Sequence, residues 1–464
     1  MGFRVRDFTC ERKFASHLRV EAIERAVPME TITSVLQETG AQEVRLRKLS
    51  MPMIVLWLIC LSVYTGSAME QVFEKIVEGL RLLCLPKEYT PPNASSLCNR
   101  RYQLGVRPMA ALFHRVCRPV ATAQTAGAFA FGLRLVAVDG HRQDLPDTPE
   151  NAAYFGRPST DRGEGAFPQA LVVALCECGT HVFFDAGIWP CHTSEHKGAL
   201  RLARSLTKGM LVMWDRGLHA FALLKKVRNT GAHVLARVPA NVKPLLERIL
   251  PDGSYLAWIS PSGGGRKRRG EGILVRILCY TIDAPTGKGH KQTYRLMTTL
   301  TDPLRYPAKE LALLYHERWE EEGTLDELET HPLAHQPLRS RKPLGVVQEL
   351  YGVLIAHYAV RSLMHEAALR TGVDPDRLSF TRSLHILRDT LWELQIADVA
   401  LLEPLVDRML QEMARHLLPE RRSRSNPRVV KRKMSNFPLK RTQHRQRRRP
   451  PKPLRDALHI QVAG

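Results

Sequence analysis

The sequence lacks the cysteine patterns that mark disulfide frameworks and zinc sites. Its nine cysteines are odd in number and scattered, and no Cys-x2-Cys pair faces a second pair or a His-x3-His. Cys176 and Cys178 flank Glu177 within an apolar run, which favours one face of a strand over a ligand pair. Neither a disulfide-stapled domain nor a zinc site is indicated.

Long hydrophobic runs are also missing. The strongly apolar run from Met51 to Tyr64 is shorter than the roughly 20 residues that span a bilayer, so we predict a buried core helix there. The N-terminus shows no basic cap followed by an apolar stretch and a small-residue cleavage site, the pattern of a secretory signal. We therefore expect a protein of the reducing cytoplasm without a membrane partner.

Acidic residues are scarce relative to basic ones. Lys and Arg number 68 against 46 Asp and Glu, a formal net charge of +22 at pH 7. From Arg421 to Arg455 there are fifteen Lys and Arg and no acidic residue. This surplus favours a polyanionic partner, because each phosphate neutralised releases condensed counterions. A disordered, solubilising tail is the alternative for the basic segment.

Hydrophobic periodicity indicates an α/β protein. Helices are predicted over Glu21–Thr39, Ile54–Thr65 and Ala68–Leu83. Strands are predicted over Leu133–Asp139, Ala170–Cys178, Thr180–Asp185 and Met210–Asp215, the first three as an antiparallel meander. A β-rich block follows at Tyr255–Ile259, Ile273–Ile282 and Thr293–Thr299. A helix from about Ala308 to Glu329 and further helices to about Leu418 complete the pattern.

Three acidic residues stand where a metal site could form. Asp139 and Asp215 each follow an apolar strand, and strand ends are where α/β folds place their sites. Taken singly, either is equally a turn residue before glycine. Tyr315, Arg318 and Glu322 are spaced three and four apart and share one helix face. The alternative is an amphipathic helix whose Tyr lies in the core.

Four segments carry a resemblance to a known family. They are Val138-Asp-Gly-His-Arg-Gln-Asp-Leu-Pro-Asp-Thr-Pro-Glu-Asn151, Asp215-Arg-Gly217, Tyr315-x2-Arg318-x3-Glu322 and Pro337-Leu-Arg-Ser-Arg-Lys-Pro343. In this order and spacing, the chain resembles the insertion-sequence transposases of family four, within the DDE superfamily, over nearly its whole length. The resemblance implies a ribonuclease H-like catalytic core with a β-strand insertion between the second Asp and the Glu.

The resemblance also implies the chemistry. The family's catalytic triad corresponds to Asp139, Asp215 and Glu322, which would hold two Mg²⁺ ions, with Mn²⁺ as a substitute. Such hard cations prefer oxygen ligands and stabilise both the attacking and the leaving oxygens of a phosphodiester. The implied reaction is cut-and-paste transposition by strand cleavage and 3′-hydroxyl strand transfer.

The implied partners are double-stranded DNA at the element's terminal inverted repeats, target DNA, and a second copy in a homodimer. Tyr315 and Arg318 would position the terminal phosphates and base. The basic loop that contains Arg339, Arg341 and Lys342 would also bind DNA. The implied location is the bacterial cytoplasm, in association with the nucleoid.

Four domains are expected from these patterns. They are an N-terminal helical domain for DNA-end binding at 1–105, the catalytic domain at 106–345 with its insertion at about 240–300, a helical region at 346–420, and a basic, disordered tail at 421–464.

Departures from the family pattern lower the expected activity of this copy. Glu329 lies seven residues after Glu322, where the family has a Lys that contacts the transposon end, so a repulsion from phosphate replaces an attraction. His141 replaces a hydroxyl residue and Glu321 an apolar one. Two alternatives follow: a degenerate transposase that binds ends without efficient catalysis, and a metal-dependent nuclease without strand transfer.

Overall fold

The computed structural model describes residues 21–43, 49–83, 92–160, 163–261, 272–283, 293–317, 327, 338–418, 441 and 453–461. The helices in these ranges are α1 Glu21–Glu24, α2 Met29–Glu38, α3 Met51–Val63, α4 Met69–Leu83, α5 Ala94–Leu104, α6 Arg107–Val116, α7 Pro149–Phe155, α8 Glu195–Leu202, α9 Phe221–Asn229, α10 Ala308–Glu317, α11 Pro343–Thr371, α12 Phe380–Ile396, α13 Val399–Arg415 and α14 Leu454–Ala457. The strands are β1 Phe129–Ala130, β2 Leu133–Asp144, β3 Ser159–Thr160, β4 Gly163–Glu164, β5 Gln169–Glu177, β6 Phe183–Pro190, β7 Met210–Trp214, β8 His233–Arg237, β9 Leu245–Ile249, β10 Tyr255–Ile259, β11 Ile273–Ile282, β12 Thr293–Thr298 and β13 Leu458–Gln461.

The chain forms two compact units. The first is drawn from Met1–Ala130, Arg134–Ser205 and Glu320–Leu418, and the second from Phe131–Leu133, Leu206–Trp319 and Pro419–Gly464. Both units combine segments that are distant in sequence, because the N-terminal helices α3 and α4 pack against α11 and α12. Periodicity within a segment does not identify such a partner.

A central helix pair organises the first unit. Every residue of α3 except Pro52 is buried, so the predicted core helix is confirmed. Helix α11 packs against it, and the two backbones are close together at Gly352, where a Cβ would lie 2.6 Å from the carbonyl oxygen of Leu58. Glycine is needed there because any side chain would push the two backbones apart. In the described part of the chain, no helix combines the length and hydropathy needed to cross a membrane.

The first unit also contains the predicted antiparallel meander. Strand β5 pairs with β2 on one side and β6 on the other, both antiparallel, which confirms the prediction. The last strand begins at Phe183 and runs to Pro190, later than predicted, because the turn before it includes His181 with φ of 60°. A non-glycine residue in the left-handed region is typical of a turn rather than a strand.

The second unit is a mixed sheet. Strands β7 and β8 are parallel, as expected for two strands connected by a helix, here α9. The order continues β8-β12-β11-β10-β9, with antiparallel pairing throughout. Strands β9 to β12 lie between residues 245 and 298, so the β-rich block predicted after Asp215 is confirmed.

Part of the predicted disordered tail is ordered. Residues Leu454–Ala457 form helix α14, and Leu458–Gln461 form β13, which pairs antiparallel with β11. Disorder is therefore wrong for residues 453–461. Basic composition dominates the segment as a whole, but Leu458-His-Ile-Gln461 alternates apolar and polar side chains, which suits a strand with one buried face.

Candidate active site

Asp139 lies within a strand of the first unit. Residues Leu135–Val138 are buried and Asp139 is half-buried, facing Ala174 of β5. The prediction that the strand ends at Asp139 is wrong, because β5 offers paired backbone as far as Asp144. The Gly140 amide donates to Asp139 Oδ1 at 2.8 Å, which holds the carboxylate at the point where the buried part of the strand ends.

Glu195 lies beside this position and was missed by the sequence analysis. It is in the first turn of α8, and a Cβ at Gly140 would lie 2.7 Å from its Cγ. Gly140 therefore lets this side chain pass directly over the strand next to Asp139. The order Ser194-Glu195 is an ordinary helix start, so local sequence carried no sign of this contact.

Asp215 lies in the second unit, at the end of β7. Residues Leu211–Trp214 are buried, and β7 ends at Trp214, one residue before the predicted end at Asp215. Asp215 caps the short helix Arg216–Leu218, because its Oδ1 accepts the amides of Gly217 at 2.7 Å and Leu218 at 3.2 Å. Among the described residues, Oδ2 makes no hydrogen bond, so the orientation of the carboxylate is set through one oxygen only.

Tyr315 is a core residue of the second unit. Its side chain is 3% exposed, and its hydroxyl donates to the carbonyl of Trp214 at 3.3 Å. The predicted DNA contact of Tyr315 does not fit this burial, which matches the alternative of a core tyrosine. Through this hydrogen bond, the hydroxyl connects α10 to Trp214, the residue that precedes Asp215.

The remaining residues of the predicted helix motif, Arg318 and Glu322, and also Glu329, lie outside the described residues. Within the described ranges, no group of three or more His, Cys, Asp or Glu could hold a metal ion. The described ranges contain two of the three predicted ligands, Asp139 and Asp215. The carboxylate oxygens of both are of the type that hard divalent cations prefer.

A buried charged network lies close in sequence to Glu322. Glu327 accepts from Arg361 through both carboxylate oxygens, with Nε 3.1 Å from Oε2. Arg361 Nη2 also lies 2.9 Å from His181 Nδ1, and His357 Nε2 lies 3.4 Å from Glu327 Oε2. Burial raises the pKa of Glu327, but Arg361 and His357 outweigh it and lower that pKa to about 2. The carboxylate is therefore charged and fixes this point of the chain to α11.

The sequence contained one signal for this network. His357 and Arg361 are four residues apart on α11, within a run that is otherwise mostly apolar. Polar residues one turn apart in a buried helix indicate a polar partner, because burying them unpaired is costly. Their partner Glu327 could not be identified from spacing alone.

The predicted basic loop divides into structural and exposed residues. The guanidinium of Arg339 donates to the carbonyls of Leu61 at 3.0 Å, Tyr64 at 3.1 Å and Ser67 at 3.2 Å, at the C-terminal end of α3. The DNA contact predicted for Arg339 therefore does not fit, because its donors satisfy helix-end carbonyls. Arg341 and Lys342 are exposed, as the predicted phosphate contact requires.

Two of the segments that carried the resemblance contact each other. Thr148 caps α7 by accepting the Asn151 amide at 3.2 Å, and its hydroxyl donates to the carbonyl of Arg341 at 2.8 Å. Asn151 Nδ2 lies 3.3 Å from the carbonyl of Ser340. The Thr-Pro-Glu-Asn segment is thus a capped helix start, with Pro in the first turn, and it supports the backbone of the basic loop.

A buried arginine that the sequence analysis missed holds the same loop from the other side. Arg101 on α5 is 1% exposed and donates through Nη2 to Ser340 Oγ at 3.0 Å and to the carbonyl of Gly345 at 2.8 Å. Ser340 Oγ in turn donates to Glu349 Oε2 at 2.6 Å. The loop that presents Arg341 and Lys342 is therefore fixed by buried, charge-assisted hydrogen bonds.

Comparison with known proteins shows which family this chain is similar to. The model of the insertion element 4 transposase N-terminal domain matches residues 17–114, and that of the transposase DDE domain matches residues 130–359. The chain is 31% identical over 419 residues to "Transposase InsG for insertion sequence element IS4" of Escherichia coli (strain K12), which covers 88% of this chain and 91% of that protein. It is 28% identical over 153 residues to the "Putative transposase InsZ" of the same strain, which covers 32% of this chain and 49% of that protein.

Among solved structures, a piggyBac transposase synaptic complex with hairpin DNA aligns with a TM-score of 0.40 and 11% identity, over 87% of this chain and 86% of that chain. The sequence matches define a DNA transposase of the DDE class, an enzyme that cleaves DNA with divalent metal ions. Within that class, the chain belongs to the IS4 family.

Proposed function

We propose that this transposase moves its element by a cut-and-paste reaction in which Asp139, Asp215 and Glu322 hold two Mg²⁺ ions, with Mn²⁺ as a substitute. The ions would supply Lewis acidity at the attacking and leaving oxygens of the phosphodiester. The catalytic core is proposed to be ribonuclease H-like, which is consistent with an aspartate on β2 of an antiparallel meander and another at the end of β7.

The observation that carries the proposal is the way Asp215 is held. Two amides fix Oδ1, and Oδ2 accepts no hydrogen bond among the described residues. A carboxylate oriented in this way is preorganised for a cation, because little side-chain freedom remains to be lost on binding. In Asp139, Oδ1 accepts the amide of the next residue, Gly140, at 2.8 Å.

The residues around these carboxylates have distinct roles. Tyr315 acts as a positioning residue, because its hydroxyl holds the carbonyl that precedes Asp215. Arg341 and Lys342 bind phosphates of the DNA, with their loop held by Arg101 and Thr148. Arg318 is proposed to contact the transposon end, as the family resemblance implies.

The proposed substrates are double-stranded DNA at the terminal inverted repeats and the target DNA, bound by a homodimer associated with the nucleoid. The net charge of +22 supports a DNA partner. Exposed Arg341 and Lys342 contribute charge on a loop that Arg101 and Thr148 hold in place, and such phosphate contacts fix the register of a protein on a duplex.

Three single substitutions test the proposal. Asp139→Ala, Asp215→Ala and Glu322→Ala should each abolish Mg²⁺-dependent cleavage of terminal-repeat DNA, while gel shifts show end binding close to that of the wild type. Lys309→Ala, a substitution at a half-buried position on α10 outside the proposed metal site, serves as the control. A variant that still cleaves removes its residue from the metal site.

A further inference from the structure

Strand β13, near the C-terminus, pairs with an edge of β11 that would otherwise be open. Strand β11 spans ten residues, and β12 lies along one side of it. On the other side, β10 pairs only with Ile273–Ile277, and β13 pairs with Cys279–Ile282. The C-terminal segment, residues 453–461, therefore occupies backbone that β10 leaves unpaired, and an unpaired strand edge is a site for strand addition.

Specific contacts hold the C-terminal segment at this edge. The Asp283 amide donates to the Ala457 carbonyl at 2.9 Å, and Ala457 and Leu458 are 1% and 2% exposed. Arg455 forms a bidentate ion pair with Glu310 on α10, with both N–O distances 2.8 Å. The segment thus contacts both β11 and the helix that contains Tyr315.

The part of β11 that pairs with β13 is connected to Asp215 through the side chains of Tyr280, His316 and Tyr315. Tyr280, which pairs with Ile460 of β13, is fully buried, and its hydroxyl lies 3.0 Å from His316 Nε2 on α10. The neighbouring Tyr315 donates to the carbonyl just before Asp215. A continuous path of contacts therefore runs from the C-terminal segment through β11 and α10 to the end of β7, all within the second unit.

We propose that the C-terminal segment is a positioning element for catalysis, which holds α10 and the end of β7 in the geometry that strand cleavage requires. This inference rests on the proposed function. It assigns to residues 453–461 a role different from that of the basic residues before them. Removal of this support should reduce the rate of cleavage and leave end binding intact, since the segment contacts α10 and β11 and supplies no ligand to the metal site.

The first test removes one hydrogen bond of the β13–β11 ladder. Because the Asp283 amide bonds to the Ala457 carbonyl, Thr281 and His459 form the next hydrogen-bonded pair of the antiparallel ladder. His459→Pro deletes the backbone donor of this pair. His459→Ala keeps the donor and loses only the 3.2 Å contact between Nε2 and Asp283 Oδ2 at the surface, so it is the matched control.

Single-turnover cleavage of terminal-repeat DNA should fall roughly tenfold or more in His459→Pro, since small misplacements can cost up to ~10²-fold. The dissociation constant for the end should stay within about twofold, and His459→Ala should behave as the wild type does. Hydrogen exchange should be faster at α10 in His459→Pro. Equal cleavage in His459→Pro and the wild type, or a parallel loss of binding and cleavage, would overturn the inference.

A charge exchange tests the helix contact in a chain whose strand is intact. Arg455→Glu places two carboxylates together and should lower the cleavage rate by roughly two- to fivefold, the range typical of an exposed pair. The double variant Arg455→Glu, Glu310→Arg should recover most of that loss, and absence of recovery would contradict the inference. A wild-type chain that fails to cleave would instead refute the proposed function, and hydrogen exchange at α10 would still decide the positioning role.

Discussion

Acidification should destabilise the first unit through one buried histidine. The His357 ring has no exposed surface and lies between Phe183 and Phe380, with ring centroids at 5.0 and 5.1 Å. Burial lowers its pKa to about 4, although the Glu327 carboxylate acts in the opposite direction. At neutral pH the ring is therefore uncharged within a network that already contains the Arg361 cation.

The sign and size of the effect follow from this pKa. The ordinary pKa of histidine is 6.5, so between pH 6.5 and about 4 the unfolded chain binds a proton that the folded chain does not. Stability is fully present above pH 6.5 and falls as the pH approaches 4, by roughly 3 kcal/mol at about 1.4 kcal/mol per pH unit. Glu327 has its pKa lowered from 4.5 to about 2. Its contribution to stability is therefore lost only as the pH falls below about 4.5.

Urea unfolding at a series of pH values from 7.5 to 4.0, in steps of about 0.5, measures this loss. The matched variant is His357→Phe, because a phenyl ring suits the space between two aromatic rings and does not titrate. As the pH falls, the unfolding free energy of the wild type should decrease by roughly 3 kcal/mol relative to that of the variant. A constant difference across the series would refute the reasoning, since the other titrating groups are common to both chains.

Two glycine substitutions test close contacts. Gly352→Ala places a methyl group 2.6 Å from the Leu58 carbonyl oxygen, and should destabilise the chain by about 1–3 kcal/mol in the same unfolding assay; unchanged stability would contradict the close packing of α3 and α11. Gly217→Ala places a methyl group 3.0 Å from Asp215 Oδ1, and should slow cleavage roughly tenfold by displacing the carboxylate, with no loss of end binding. Wild-type cleavage in that variant would show that the orientation of Asp215 is not limiting.

Local features of this protein were predictable because neighbouring residues determine them. Thirteen consecutive residues of α3 with almost no polar side chain cannot face water, so a buried helix follows from composition. An apolar run followed by Asp-Arg-Gly predicts that β7 ends next to Asp215, since the carboxylate caps the turn that follows. The order and spacing of the motif residues also sufficed to indicate the family.

What the sequence could not determine depends on partners distant in the chain. Arg339 has the same charge as Arg341, and the sequence does not distinguish them. Only in the folded unit does Arg339 reach the end of α3, where its guanidinium donates to three carbonyls. Tyr315 is buried because α10 lies against the end of β7, which helical spacing does not reveal. The C-terminal strand forms because β10 leaves part of β11 unpaired. The sequence alone thus determined the elements and the chemistry of their residues, and the tertiary structure decided which charged groups are used up in packing, because only packing brings distant donors and acceptors within hydrogen-bond distance.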